Sequence, residues 1–377
     1  MKLPKELDKI ERVLIFCLGS LGDTVVALPC FHQIARAFPN AHRYLLSNLP
    51  GESKAAPAYA VLKNSGLVEG HLTYPLATRS LSEIFALRRQ VRQLRPQVLI
   101  DLTPRLSWQH VAQDVAFFRL CGIPYILGAP FSRDARMHRF DDSNGLYEAE
   151  VSRLARSIAV LGTIDLNDVA NWDLHLTPEE HARAQSALLP LGRRPLISCS
   201  VGTKMQAKDW GEDNWRKVLQ QLAQSLPDYG LVLVGAPGER AVSDRVAAEW
   251  QGRSVNICGS TSPRESAAVL ARARLFLGHD SGPMHLAAAV QTRCVAIFSA
   301  RDYPAVWFPW GNGHEVLYHR TNCSGCQLET CIKQRNKCLT AITPTAVLEA
   351  AERLLAHHDQ PTHQLHGDIR TKFPIFV

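Results

Sequence analysis

Short apolar runs alternate along this chain with longer stretches whose apolar residues recur every three or four positions. That alternation is the signature of βαβ units built around parallel sheets. In the first half, RVLIFCL (12–18) predicts a buried strand, followed by a helix over 24–38. Further strands are expected at 42–47 and at VLIDL (98–102). Between them Leu81, Ile84, Leu87, Val91 and Leu94 lie on one helical face, which predicts an amphipathic helix over about 80–95. The second half repeats the scheme with strands at PLISCS (195–200), LVLVG (231–235), SVNIC (254–258), RLFLG (274–278) and RCVAIF (293–298). Helices are expected after them at 212–226, 239–250, 263–273 and 283–290. Gly162, Pro178, Pro190, Gly192 and Pro195 mark 162–195 as the connection between two α/β domains, taken as 1–175 and 176–342. A last helix starts with Thr343 as N-cap and Pro344 in its first turn and runs to about His357. A polar tail completes the segment 343–377.

Composition agrees with two domains. The chain has 377 residues, 46% of them hydrophobic and 20% charged, which excludes a disordered, collagen-like or coiled-coil protein. The N-terminal MKLPKELDKIERV is too charged, and too broken by Pro4, for a signal peptide. No apolar run approaches the roughly 18 residues of a membrane span, so a cytoplasmic location is expected. Forty-two basic against 35 acidic residues leave a charge of +7. Much of that excess is local: between Arg79 and Arg139 there are ten arginines and four acids (Glu83, Asp101, Asp114, Asp134). Arg88, Arg92 and Arg95 share one face of the 80–95 helix, either as a solvated surface or as a landing site for an acidic partner.

Four motifs sit where strands are expected to end, the place at which open α/β sheets collect ligands. In LGSLGD, Gly19 and Gly22 allow a sharp turn and Asp23 enters the first helical turn, as a catalytic carboxylate or as a dipole partner. The spacing is not the GxGxxG dinucleotide fingerprint. In GHDSGPMHLAAA (278–289), Ser281 and Gly282 precede Pro283 and leave backbone amides free to face an anion, while Asp280 and His285 add an acceptor and a titratable donor. An ordinary strand–helix turn with a capping Asp280 is the plainer account. In VGTKMQAKDW (201–210), Thr203, Lys204 and Lys208 place a hydroxyl and two cations in one loop, suited to a diphosphate or simply solvated. In GAPGER (235–240), Glu239 starts a helix, as an acceptor for ribose hydroxyls or as a dipole partner.

Six of the ten cysteines (Cys17, Cys30, Cys121, Cys199, Cys258, Cys294) lie mostly in apolar runs and read as small buried hydrophobes. The other four, Cys323, Cys326, Cys331 and Cys338, are spaced C-x2-C-x4-C-x6-C. Four thiolates opening on CxxC suit a structural zinc or iron ion, although no second CxxC follows. Free or adventitiously paired surface thiols are the alternative. The cluster's distance in sequence from the other motifs points to a structural role for any metal.

These pieces together resemble glycosyltransferase family 9, the ADP-heptose:lipopolysaccharide heptosyltransferases. The resemblance is carried by RVLIFCLGSLGDTVVALPCFHQIARAFPNA, KDWGEDNW, LVLVGAPGER, NICGSTSPRESAAVLARARLFLGHDSGPMHLAAAV and the cysteine-rich end, over residues 12 to about 355. It implies a GT-B fold with two Rossmann-like domains, acceptor on the first and nucleotide-sugar donor on the second. It implies a metal-independent inverting transfer, with ADP-heptose as donor and a lipopolysaccharide-core or related acidic glycan as acceptor. Asp23 matches the catalytic base; Thr203, Lys204 and Lys208 match the diphosphate loop, where the family's usual residue at 204 carries a hydroxyl. Glu239 matches the ribose-binding glutamate, and Asp280, Ser281, Gly282 and His285 the donor turn. The basic stretch becomes a landing surface for phosphorylated inner core at the inner face of the inner membrane. Two departures stand out: SARDYP (299–304) replaces a Gly-Pro-Thr-like loop, and Cys294 stands where proline is common. The competing functions are a nucleotide-sugar epimerase or hydrolase on the same fold, and a zinc-dependent nucleic-acid-binding protein. Aromatic and basic residues do not interleave near 323–338, so no nucleic-acid partner is expected.

Overall fold

Every second-half strand foreseen from an apolar run forms, and the central ones are buried along their whole length. The computed structural model describes residues 7–49, 56–75, 80–104 and 107–356. The chain divides into two compact units, Met1–Thr177 and Pro178–Val377.

The first unit is built on five parallel strands: β1 (Arg12–Phe16), β2 (His42–Leu49), β3 (Gly70–Pro75), β4 (Val98–Asp101) and β5 (Tyr125–Leu127). Their order is β3-β2-β1-β4-β5. Leu14, Phe16, Leu46, Leu99 and Ile126 project to one side of this sheet and form a core with Val91, Phe118, Cys121 and Ile123. A short antiparallel pair, β6 (Phe140–Asp141) and β7 (Leu146–Tyr147), stands apart. The helix expected over 24–38 is two helices, Leu21–Val26 and Leu28–Ala37, meeting at Ala27. Pro29 has no N–H to give to the preceding turn, so the ladder restarts with the proline at the head of the second helix. The amphipathic helix over 80–95 is Leu81–Leu94, and Arg95 ends it in the left-handed conformation (φ 48°). Only Val91 of this helix is buried, while Leu81 and Phe85 are 70% and 60% exposed.

The second unit has six parallel strands: β8 (Leu196–Ser200), β9 (Gly230–Leu233), β10 (Ser254–Asn256), β11 (Leu275–His279), β12 (Cys294–Phe298) and β13 (Glu315–Tyr318). Their order is β10-β9-β8-β11-β12-β13. Helices Glu212–Ser225 and Pro344–Ala356 cover one face, packing Trp215, Val218, Leu219, Leu222, Val347, Leu348 and Ala351 against the strands. The helix Pro178–Leu188 lies against Pro263–Leu270, pinned by Arg264, whose buried guanidinium grips Glu180 at 2.6 and 2.9 Å. The 162–195 stretch holds a 3-10 turn at Val169–Trp172 and this helix, with the division between units at its start. The C-terminal helix is described to Ala356; the polar tail lies outside the described residues. Among the described residues no helix is long and apolar enough to cross a membrane.

Candidate active site

Both sheets reverse their winding direction at one point, between β1 and β4 in the first unit and between β8 and β11 in the second. At such a switch point two neighbouring strands send their following loops to opposite sides and leave a crevice at their carboxyl ends. The sequence places its most polar motifs there.

In the second unit, β8 runs beside β11 with Ser200 opposite Gly278. The loop after β8 carries Thr203, Lys204 and Lys208; the residue after β11 is Asp280. Lys208, 72 residues away in sequence, donates to Asp280 Oδ2 at 2.6 Å. Both groups are largely buried, with side-chain exposures of 16% and 6%. Burial alone would lower the lysine pKa, but Asp280 and a second carboxylate, Asp302, outweigh it and raise the value. Lys208 is therefore a fixed ammonium held in the crevice, not the solvated loop cation that was the alternative.

Asp280 is not the helix cap; that place belongs to Ser281, before the helix Gly282–Ala289. Ser281 gives its hydroxyl to the His279 carbonyl at 3.3 Å, and Pro283 lies in the first turn. His285 is buried in the same helix. Pro283 has no N–H and the Met284 N–H turns back to the Ser281 carbonyl at 3.1 Å, so Ser281 and Gly282 carry the N–H groups at this N-terminus that have no acceptor among the described residues. Thr203 accepts from the Met205 N–H at 3.4 Å and Lys204 is exposed.

Glu239 closes a 3-10 turn, Pro237–Glu239, and accepts the Ala236 N–H at 2.7 Å. It lies in a notch made by two glycines: a Cβ at Gly202 or at Gly235 would run into its carboxylate. The loops after β8 and β9 thus meet at this side chain.

Behind the Lys208 loop stands a residue that the motifs did not single out. His279 is fully buried, and its Nε2 accepts the Trp210 backbone N–H at 3.1 Å and the Trp215 indole N–H at 3.3 Å. Burial depresses its pKa to about 4, despite Asp209 and Asp280 nearby. The ring is neutral at pH 7 and ties the loop's exit to β11. Arg301 and Asp302 were also missed. They fall in SARDYP, which reads in sequence only as a departure from the expected loop. A charged pair starting three residues after the wholly apolar β12 was the available signal.

The four-cysteine segment is remote in sequence but not in space. Ala207 donates to the Glu329 carbonyl at 3.0 Å, Cys331 N–H to Gln206 Oε1 at 2.8 Å, and Asn336 Nδ2 to the Gln206 carbonyl at 3.0 Å. The segment therefore backs the Lys208 loop. Cys323, Cys326, Cys331 and Cys338 line one small enclosed cavity with Ser299 and Arg301. Cys323 Sγ lies 3.3 Å from the Thr321 hydroxyl, and Cys338 Sγ 3.6 Å from Ser299. Among the described residues no three His, Cys, Asp or Glu side chains are arranged to hold a metal ion. The six scattered cysteines are all buried, and burial raises each thiol, to about 11 at Cys121 and Cys258.

In the first unit, Gly19 turns the chain after β1 at φ 126° and donates to Asn48 Oδ1 at the end of β2, 2.9 Å away. Asp23, half-buried, sits in the first turn of Leu21–Val26, with Gly22 just before it. Its Oδ2 accepts the Ser20 N–H at 2.7 Å and the Ser20 hydroxyl at 3.3 Å. Its Oδ1 has no hydrogen bond among the described residues, so capping occupies one oxygen and leaves the other. Across the switch point β4 ends in buried Asp101, whose Oδ1 takes the Thr103 N–H at 2.9 Å and hydroxyl at 2.7 Å. Asn48, Asp101 and Thr103 were not foreseen.

At the opposite, N-terminal end of these strands, Arg12, Arg88, Arg89, Arg92 and Arg95 line an open concavity of about 600 Å³ with Phe85 and Gln93. Arg12 begins β1 and Asp23 follows its end, so the basic face and the carboxylate lie at opposite ends of the sheet.

The model of glycosyltransferase family 9 (heptosyltransferase) matches residues 133–337, over half of the chain. Lipooligosaccharide heptosyltransferase 2 of Campylobacter jejuni is 27% identical over 177 residues, covering 45% of this chain and 54% of that one. Lipopolysaccharide heptosyltransferase 3 of Escherichia coli K12 is 30% identical over 151 residues, 39% and 43% of the two chains. The chain thus spans about half the length of the curated relatives it matches. Among solved structures, a family 9 glycosyl transferase from Veillonella parvula superposes with a TM-score of 0.71 at 19% identity, over 95% of this chain and 99% of that one. The E. coli ADP-heptose lipopolysaccharide heptosyltransferase II gives 0.64 at 18% identity, over 92% and 99%. The fold is the GT-B fold of these structures, and on the family match the chain belongs to glycosyltransferase family 9.

Proposed function

We propose that this chain is an inverting heptosyltransferase that moves heptose from ADP-heptose to a hydroxyl of the lipopolysaccharide inner core or a related acidic glycan. The observation that carries the reading is the buried Lys208–Asp280 pair at the β8/β11 switch point, beside the helix N-terminus at Ser281–Gly282. A fixed ammonium next to the unbonded amides of Ser281 and Gly282 is the arrangement that a leaving diphosphate requires. The relatives' names point the same way, including that of the E. coli ADP-heptose lipopolysaccharide heptosyltransferase II.

Inversion takes one displacement. The acceptor oxygen bonds to the anomeric carbon, the bond to the diphosphate oxygen breaks, and the hydroxyl proton passes to Asp23 Oδ1. The Ser20 N–H and hydroxyl hold Oδ2 and so orient the carboxylate. Lys208, Thr203, Lys204 and the amides of Ser281 and Gly282 receive the charge developing on the diphosphate. Glu239 takes the ribose hydroxyls, and Asp280 and His285 complete the donor turn.

The basic concavity supports peripheral contact with the inner leaflet. Five arginines, with Phe85 and Leu81 exposed on the same helix, suit anionic headgroups above an apolar layer. Its place at the far end of the sheet from Asp23 makes it a docking surface rather than the pocket for the attacking hydroxyl.

Product analysis with ADP-heptose, with and without acceptor, tests the reading. Transfer that vanishes in Asp23→Asn by about 10²-fold or more, with ADP binding intact, is the expected result. Acceptor-independent hydrolysis or an epimerised sugar nucleotide would replace it with the competing enzyme class. Co-sedimentation with anionic but not neutral vesicles, lost on charge reversal at Arg88 and Arg89, tests the membrane contact.

A further inference from the structure

Lys208 stands between two carboxylates, and only Asp280 belongs to the motif after β11. The other, Asp302, comes from the turn after β12, with Oδ2 3.5 Å from Lys208 Nζ. Asp302 has a cation of its own: Arg301 NH1 lies 2.7 Å from the same oxygen. The side chains of Lys208, Asp280, Asp302 and Arg301 are exposed by only 16%, 6%, 9% and 10%. Two positive and two negative charges therefore share a poorly hydrated site and sum to zero.

Arg301 cannot swing freely toward a ligand. Its Nε donates to the Leu328 carbonyl at 2.7 Å and its NH2 to the Gln327 carbonyl at 3.0 Å. Gln327 returns an N–H to the Arg301 carbonyl at 2.9 Å, and Gly325 donates to Ala300 at 2.8 Å. The guanidinium is thus strapped to the four-cysteine segment, with one corner left for Asp302.

We propose that Arg301 is a charge-balancing positioning residue of the donor site. It neutralises Asp302, so that a nucleoside diphosphate approaching Lys208 meets a field that is not net negative. The inference rests on the donor-site reading above. Lysine has three N–H donors; one bonds Asp280 at 2.6 Å, Asp302 attracts the ammonium from 3.5 Å, and donor capacity remains for a phosphate oxygen. Without Arg301 the site holds one ammonium against two carboxylates, a net negative charge that opposes the diphosphate at short range and low dielectric. Without Asp302 the same site is net positive. The two side chains therefore act on diphosphate binding with opposite sign, and removing both restores neutrality. A purely structural role predicts losses that accumulate.

The experiment is calorimetric titration of ADP into the full-length protein, with UDP and GDP alongside. Arg301→Met is expected to weaken ADP binding about tenfold, Asp302→Asn to leave it equal or tighter, and the double variant to return within about threefold of wild type. A double variant weaker than either single one, or Arg301→Met binding like wild type, overturns the inference. If Arg301→Met does not fold, Arg301→Lys decides. It keeps the charge and loses the bonds to Leu328 and Gln327, so ADP affinity within about threefold of wild type at a lower Tm is expected. A tenfold loss of affinity in that variant overturns the inference equally. Wild-type protein that binds none of the three nucleotides would instead sink the donor-site reading itself.

Discussion

Acidification probes the buried imidazole of His279. Its pKa is depressed to about 4 from an ordinary 6.5, chiefly by burial. Unfolding restores the ordinary value, so the unfolded chain takes up the proton first. Stability is whole above about pH 6.5 and is lost as pH falls toward 4. A difference of 2.5 units corresponds to about 3 kcal/mol in full, of which about 2 kcal/mol is lost by pH 5. His314 is also depressed to about 4 by burial and adds in the same direction; its partial exposure makes its share smaller. Five of the seven tryptophans lie after residue 177, so urea unfolding followed by tryptophan fluorescence reports mainly on this unit. The comparison is between pH 7.5 and pH 5, above the range where carboxylates protonate. His279→Gln keeps an acceptor for Trp210 and Trp215 but cannot titrate. It is expected to be less stable at pH 7.5 and to lose about 2 kcal/mol less than wild type on going to pH 5. Because His279 ties the Lys208 loop to β11, ADP affinity in wild type should decline over the same window. Identical pH slopes in wild type and His279→Gln would refute the argument.

Gly19→Ala places a Cβ against the Asp23 carboxylate at φ 126°; transfer should fall by about 10²-fold with ADP affinity unchanged, and normal turnover would contradict the role of that turn. Arg264→Met removes the guanidinium that bonds both Glu180 oxygens and should cost about 3 kcal/mol in thermal or urea unfolding, whereas Arg264→Met with Glu180→Leu should recover most of it. Equal losses in the single and double variants would count against the buried pair. Thiol labelling of the native protein should be fast at Cys323, Cys326 and Cys331 and slow at the six core cysteines until denaturant is added, because burial raises the core thiols.

The central strands of the second unit were legible because Leu196–Ser200, Leu275–His279 and Cys294–Phe298 are mostly apolar runs buried along their whole length, whereas Glu315–Tyr318, half-buried at the sheet edge, was not foreseen. The helix over 80–95 was legible from its period. Gly70–Pro75 was not, since it is an edge strand with no buried residue, and Tyr125–Leu127 is three residues long. The break at Ala27 was readable from Pro29 but was hidden inside a continuous apolar pattern. At the site, position could be read and pairing could not. Glycines and charges directly after an apolar run mark strand ends, which located Asp23, Lys208 and Asp280. Which strand ends are neighbours depends on the sheet order, so the Lys208–Asp280 bond had no local signature. Arg301, Asp302 and His279 act through those long-range neighbours and were missed for the same reason.

The bonds from Gln206 and Ala207 to Glu329, Cys331 and Asn336 set a rule for changing donor preference by exchange of segments. Two stretches more than a hundred residues apart behave as one interchangeable cassette. A chimaera that imports only 201–210 from a relative inherits a loop cut for a different backing, and one that imports only 321–338 loosens Lys208 without touching it. Exchanges that move both together, with Arg301 and Asp302, keep the register between loop and backing and isolate the effect of the donor contacts themselves.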